Sequence, residues 1–139
     1  MKKTIITISR EFGSGGHFIG EEVAKRMNIP YYDKDIIFQI AEKTGYSESF
    51  IQEQSEYAPS KNLFAYAFVG RDRTGSSLSD QVYAAQTQVI RDLAQKGSCV
   101  IIGRCADYIL KDDPDAYHIF ICGNESEKIR TYTEAFRLK

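Results

Sequence analysis

Apolar residues along the chain follow two alternating rhythms. Ile5-Ile6-Thr7-Ile8 is a short run of mostly β-branched residues and reads as a buried strand. Ile19, Val23 and Met27 then recur four apart, with Glu21, Glu22, Lys25 and Arg26 between them, as one apolar stripe of an amphipathic helix. That helix is expected to end near Asn28, because Pro30 disfavours helical backbone just before it. Ile29 to Tyr32 predicts a second strand. Asp33 reads as the cap of a second helix, with Ile36, Ile37, Ile40 and Ala41 on its buried side and Gly45 as its stop. Leu78, Val82, Ala85, Val89 and Leu93 space out a long helix from about Ser79 to Lys96, closed by Gly97. Cys99-Val100-Ile101-Ile102 is the most apolar strand and reads as central and parallel. Ala106 to Leu110 predicts a helical turn, Lys111 to Asp115 a polar loop and Tyr117 to Cys122 another apolar strand. Glu125 to Lys139 predicts a helix with Ile129, Tyr132 and Phe136 inward. Strands and helices alternating over so short a span are the α/β pattern, with right-handed crossovers between parallel strands.

Residues 46 to 76 break this rhythm. The stretch is polar with scattered aromatics (Tyr46, Phe50, Tyr57, Phe64, Tyr66, Phe68), carries Pro59, and ends in Arg71-Asp72-Arg73-Thr74-Gly75-Ser76. It reads as one or two short helices and a mobile loop outside the sheet. Either the insertion closes over a substrate, or it is a surface excursion whose aromatics pack on the sheet edge and whose arginines are solvated.

Composition narrows the class. The 139 residues suffice for one domain with a core, and 42% hydrophobic with 27% charged is an ordinary globular balance. A net charge of −1 gives no general attraction to nucleic acid or anionic membrane. No apolar run is long enough to span a bilayer, and the one behind Met1-Lys2-Lys3 is too short for a signal peptide. Cys99, Cys105 and Cys122 are odd in number and lack C-x-x-C spacing. They favour reduced, packed thiols in the cytoplasm over a disulfide frame or a metal site.

The candidate chemistry lies between the first strand and the first helix. Gly13-Ser14-Gly15-Gly16-His17 joins them directly. Glycines let backbone N–H groups crowd inward, and the positive end of the following helix points at the same place, an arrangement suited to phosphate. It is not a standard P-loop, G-x-x-x-x-G-K-[ST]. With Gly15 on the motif's second glycine, the lysine position holds Gly16, the Ser/Thr position His17 and the first glycine position Arg10. Arg10 or His17 is then the candidate source of positive charge, and the alternative is a plain tight turn. His17 is either a donor to the phosphates or a residue that caps or packs, and His118, within an apolar strand, reads as structural. Arg104 follows the most apolar strand at its carboxyl end, where open parallel sheets bind ligands, and its fork suits phosphate or carboxylate. The alternative there is a salt bridge to a neighbouring acid.

The segments ITISREFGSGGHFIGEEVAKRMNIPYYDKDII, VIIGRCADYIL and AYHIFICGNESEKIR occur in that order. Together they resemble the cytidylate kinase-like proteins, within the P-loop nucleoside monophosphate kinases, from Thr4 to about Arg130. The resemblance implies a P-loop NTPase-type three-layer α/β/α domain with a central, five-stranded parallel sheet. It implies one domain over residues 1–139 with a helical nucleotide-binding insertion at about 45–76, and a C-terminal lid that is truncated or absent. It implies transfer of the γ-phosphoryl of ATP, with Mg2+, to CMP or dCMP. Gly13, Ser14, Gly15, Gly16 and His17 would hold ATP, and Arg104 and Arg10 would act on the transferring group. Asp33 and Arg104 would hold the acceptor, no protein metal ligand is implied, and the partner is a small nucleotide. Three departures stand out. The P-loop lysine is missing, Cys105 replaces the aspartate of Gly-Arg-Asp, and Gln39 stands where the acceptor segment has arginine. An arginine at such a site can be worth ~10³–10⁵ in rate. The alternatives are therefore a non-catalytic nucleotide- or phosphate-binding module, and a kinase for a different phosphorylated or hydroxylated acceptor.

Overall fold

The computed structural model describes residues 2–56 and 78–137. In chain order they form β1 (Ile5–Arg10), α1 (Gly16–Met27), β2 (Tyr31–Tyr32), α2 (Asp35–Thr44), α3 (Glu48–Glu56), α4 (Leu78–Lys96), β3 (Cys99–Ile102), α5 (Ala106–Ile109), β4 (Ala116–Ile121) and α6 (Glu125–Arg137). Tyr57, Phe64, Tyr66, Phe68, Arg71 and Arg73 of the expected insertion lie outside the described residues. The chain divides into two units, one from Met1–Asp33 with Leu93–Lys139 and the other Lys34–Asp92.

The first unit holds a parallel sheet of order β2-β3-β1-β4, four strands among the described residues where the resemblance implied five. Ile5 to Ile8 pair in register with Cys99 to Ile102, and Ile5 to Arg10 with Ala116 to Ile121. Tyr31 and Tyr32 pair with Val100 and Ile101. β1 and β3 are interior strands, and Ile5, Ile8 and all of Cys99–Ile102 are essentially inaccessible, as near-continuous apolar strands of a parallel sheet should be. Ile6, Ile8, Val100 and Ile102 form one cluster with Ala24 of α1.

The buried residues of α1 are Gly16, Gly20 and Ala24, and Gly20 and Ala24 face that cluster, so the apolar stripe of the sequence is displaced by one residue. Val23 still packs against the cluster, but Ile19 is 45% and Met27 38% exposed. The reason is distance. At Gly20 an added Cβ would strike the end of the Ile102 side chain, so glycine allows the close approach of the helix there. α1 ends as expected, with Asn28 in left-handed backbone (φ 52).

β4 differs from its expected role. Tyr117, Ile119 and Phe120 are exposed, and so is Ile129 on α6, which was expected to point inward. Tyr132 and Phe136 have no described side chains. His118 is exposed, and its Nδ1 lies 2.7 Å from the hydroxyl of buried Thr7.

In the second unit α2 buries Ile36, Ile37 and Ile40, and α3 buries Ile51. Ser47 caps α3, its hydroxyl accepting from the Phe50 N–H at 3.3 Å, and Gly45 closes α2 at φ 74. Lys34, not Asp33, occupies the cap position of α2. The Asp33 carboxylate is engaged elsewhere.

Candidate functional site

The glycine run leaves β1 at the carboxyl end of the sheet and is fastened on both sides. The Glu11 N–H donates to the Ile121 carbonyl at 3.0 Å. The Glu11 carboxylate accepts from the Gly123 N–H at 3.3 Å and pairs with Lys128 of α6 at 2.9 Å. The Lys128 ammonium, aided by the Gly123 amide, holds the Glu11 carboxyl below its ordinary range against the opposing effect of burial. Gly13, at φ 75, lies so close to α6 that an added Cβ would be 3.2 Å from the Lys128 backbone. Asn124 starts α6 by accepting the Glu127 N–H on its side-chain oxygen at 2.9 Å. These tethers hold the loop in one shape.

All but one of the amides from Gly13 to His17 are bare. The Ser14 N–H turns back to the Glu11 carbonyl at 3.2 Å, and the helix begins its own ladder with Ile19 N–H to Gly15 carbonyl at 3.1 Å. Among the described residues, Gly13, Gly15, Gly16 and His17 donate no backbone hydrogen bond to the protein. The Ser14 hydroxyl oxygen is buried and has no hydrogen-bond partner. A buried unpaired hydroxyl costs on the order of 1–3 kcal/mol, so bare amides and an orphaned hydroxyl in one loop fit an oxygen-rich anion. Gly15 caps α1 at φ 77, and the space where its Cβ would stand is open. A hollow of about 340 Å³ lined by Phe12, Glu125, Lys128, Ile129 and Thr133 includes none of the residues with bare amides.

The Arg10 side chain crosses this loop. An added Cβ on Gly16 would meet the Arg10 Cβ and Cδ at 2.8 Å, and one on Gly103 would lie 3.6 Å from the Arg10 Nη1. The arginine stem therefore occupies the space from which a side chain at position 16, the P-loop lysine position, would start. Its guanidinium ends beside the Gly103-Arg104 pair.

That pair begins a left-handed turn. Gly103 (φ 62), Arg104 (φ 56) and Cys105 (φ 55) all have positive φ. The turn is held by the Gly103 N–H to the Ile8 carbonyl at 2.9 Å and the Ala106 N–H to the Gly103 carbonyl at 3.1 Å. Left-handed backbone costs a residue with a Cβ about 1–2 kcal/mol, and such strain collects at functional sites. Burial, then Asp107, push the Cys105 thiol up, so it brings no charge where the resembling kinases carry aspartate.

Sequence reasoning placed His17 and Asp33 in the site without connecting them. Their side chains meet, with Nδ1 to Oδ2 at 2.8 Å. The Tyr31 hydroxyl lies 2.8 Å from the same nitrogen. Burial, then the Asp33 charge, raise the Tyr31 phenol far above its usual value despite the opposing Arg10 charge, so it keeps its proton. Glu11, Tyr31, Gly123 and Lys128 were not anticipated. Their partners are far away in sequence, except for Tyr31, whose place in an apolar strand reads as packing. Among the described residues no three His, Cys, Asp or Glu gather as a metal cage, and no helix is long and apolar enough to cross a membrane.

The model of the cytidylate kinase-like family matches residues 5–139. Among solved structures the chain is similar to an uncharacterized protein from Eubacterium ventriosum ATCC 27560, with 29% identity and a TM-score of 0.65. The alignment covers 99% of this chain and 64% of that one, so this chain spans less than two thirds of the other's length. No curated protein matches.

Proposed function

The chain belongs to the cytidylate kinase-like family, and from that premise we propose that it transfers the γ-phosphoryl of ATP to a small nucleotide-class acceptor, with CMP and dCMP first to be tried. The observation that carries this reading is the tethered loop with bare amides at Gly13 and Gly15 to His17 around an orphaned Ser14 hydroxyl. These groups would hold the donor phosphates. Mg2+ would arrive with the nucleotide and supply charge neutralisation between its phosphate oxygens.

Phosphoryl transfer is mostly positioning and charge stabilisation, so the cations decide the rate. In this reading Arg10 takes the place of the missing lysine. Its stem passes over Gly16, which explains why position 16 carries no side chain. Arg104 would hold the acceptor or the transferring group, and Asp33 would lie on the acceptor side. Lys128 offsets the Glu11 charge, which would otherwise repel polyphosphate from the loop.

A second reading, a nucleotide-binding module without turnover, is favoured by Gly16 at the lysine position. One experiment separates the two. The protein is mixed with ATP, Mg2+ and each nucleoside monophosphate while ADP release is followed, and its thermal midpoint is measured with and without ATP. The kinase reading expects both ADP release and a raised midpoint, whereas the module expects the raised midpoint alone. Gly15→Val should erase the ATP-induced shift, because a branched side chain at φ 77 fills the open space and strains the loop. An unchanged shift sinks the site as described.

A further inference from the structure

On the reading that ATP is the donor, on which this inference rests, we propose that Lys128 is a phosphate-binding residue of the glycine loop. Its ammonium, held here by the Glu11 carboxylate, exchanges that partner for the donor phosphates.

Arg10 serves one flank of the loop. Its stem lies against Gly16 and its guanidinium ends beside Gly103, on the β3 side. The other flank faces α6, which follows β4, and there the Lys128 ammonium lies 2.9 Å from Glu11 Oε2. The lysine stem runs along the loop. A Cβ added to Gly123 would stand 3.2 Å from Ser14 Cα, 3.5 Å from Ser14 Cβ and 3.3 Å from Lys128 Cγ. Ser14 and the Lys128 stem therefore meet at one point beside Gly123. The Ser14 hydroxyl is buried without a hydrogen-bond partner, and the amides on either side of it, at Gly13 and Gly15, are bare. An anion that satisfies this hydroxyl and these amides lies within the swing of the Lys128 stem beyond its Cγ.

The exchange costs little. The Lys128 and Glu11 side chains are 32% and 37% exposed, and a pair so open to water contributes little by itself. When the ammonium leaves, the Glu11 carboxylate keeps the Gly123 N–H at 3.3 Å and its access to solvent. Lys128 also borders the hollow it shares with Phe12, Glu125, Ile129 and Thr133, which gives the stem room to turn. A triphosphate offers more negative charge and more acceptor oxygens than one carboxylate, so it wins the ammonium. A flexible stem with three rotatable donors suits such a change of partner. Glu11 thus keeps the ammonium at the loop and competes with phosphate for it.

The two residues then act on binding with opposite signs. A clasp that only tethered the loop would weaken binding when either partner was lost. An ammonium that changes partner makes binding weaker when Lys128 is lost and tighter when the Glu11 charge is lost.

The test measures by calorimetry the Kd of ATP with Mg2+, and of inorganic tripolyphosphate, for the parent, Lys128→Met, Lys128→Arg and Glu11→Gln, with the thermal midpoint of each protein taken first without ligand. Lys128→Met should weaken both ligands by ~10–100-fold, the loss of one charge-assisted hydrogen bond. Lys128→Arg, which keeps the charge, should stay within about tenfold of the parent. Glu11→Gln should tighten both ligands by ~3–10-fold, because the competing charge is gone. Equal or weaker binding by Glu11→Gln overturns the proposal, and so does Lys128→Met binding as the parent does. An effect confined to ATP, with tripolyphosphate indifferent to Lys128, assigns the lysine to the nucleoside and also overturns it. Each of these results leaves ATP standing as donor. Should Lys128→Met not fold, the sign of the Glu11→Gln change decides alone. A parent that binds neither ligand overturns the donor reading, and this proposal with it.

Discussion

The connections after β1 and after β3 both pass through left-handed backbone, but they give it to different residues. After β1 it falls on Gly13 and Gly15. After β3 only the first such residue, Gly103, is glycine, and Arg104 and Cys105 follow it. In the first connection the useful atoms are main-chain amides, and a Cβ would block them or strike α6. In the second, two residues that carry a Cβ take left-handed backbone, at about 1–2 kcal/mol of strain each. Arg10 joins the two, with its stem against Gly16 and its guanidinium beside Gly103. The difference teaches that left-handed backbone falls on glycine where a Cβ would crowd a neighbour, as at Gly13, and on residues with a Cβ where it would not.

The comparison breaks most visibly at Arg10. If its guanidinium replaces the P-loop lysine, Arg10→Ala should lower kcat for ADP release by ~10²–10³, the effect of removing one preorganised donor. A variant within twofold of the parent removes the link between the loops. Next in size are paired backbone changes, read by denaturant unfolding. Gly13→Ala should destabilise by about 1–3 kcal/mol, because its Cβ would lie 3.2 Å from the Lys128 backbone. Cys105→Gly should stabilise by about 1 kcal/mol, because its left-handed strain disappears. If both changes destabilise, the two turns do not differ as described.

The smallest effect concerns pH. The Glu11 carboxyl is lowered in the folded state, so its contribution is present above the ordinary carboxylate range and is lost as pH falls through the lowered value. Glu11→Gln should show less acid destabilisation than the parent over that window. Identical acid limbs in the two proteins would show that the Lys128 tether contributes nothing.

Much of this architecture was legible in the chain. Cys99–Ile102 could be read as a central strand because every position is apolar and β-branching dominates. Gly45 and Asn28 stop their helices where local chemistry says they should. The errors share a cause. Ile19, Met27, Ile129 and Tyr117, Ile119 and Phe120 of β4 are apolar yet exposed, because periodicity reports which face of an element is apolar and not how closely another element approaches it. Asp33 looked like a cap because Asp before a helix usually is one; here His17 and Tyr31 compete for its carboxylate.

Local sequence determined the order of strands and helices, the glycine turn after β1 and the family, since each depends on residues close together along the chain. Only the tertiary structure decided that Arg10 reaches Gly103, that Lys128 restrains Glu11 across the sheet edge, and that the His17 and Asp33 side chains meet. Those contacts follow from strand order and register, which bring distant residues to one end of the sheet.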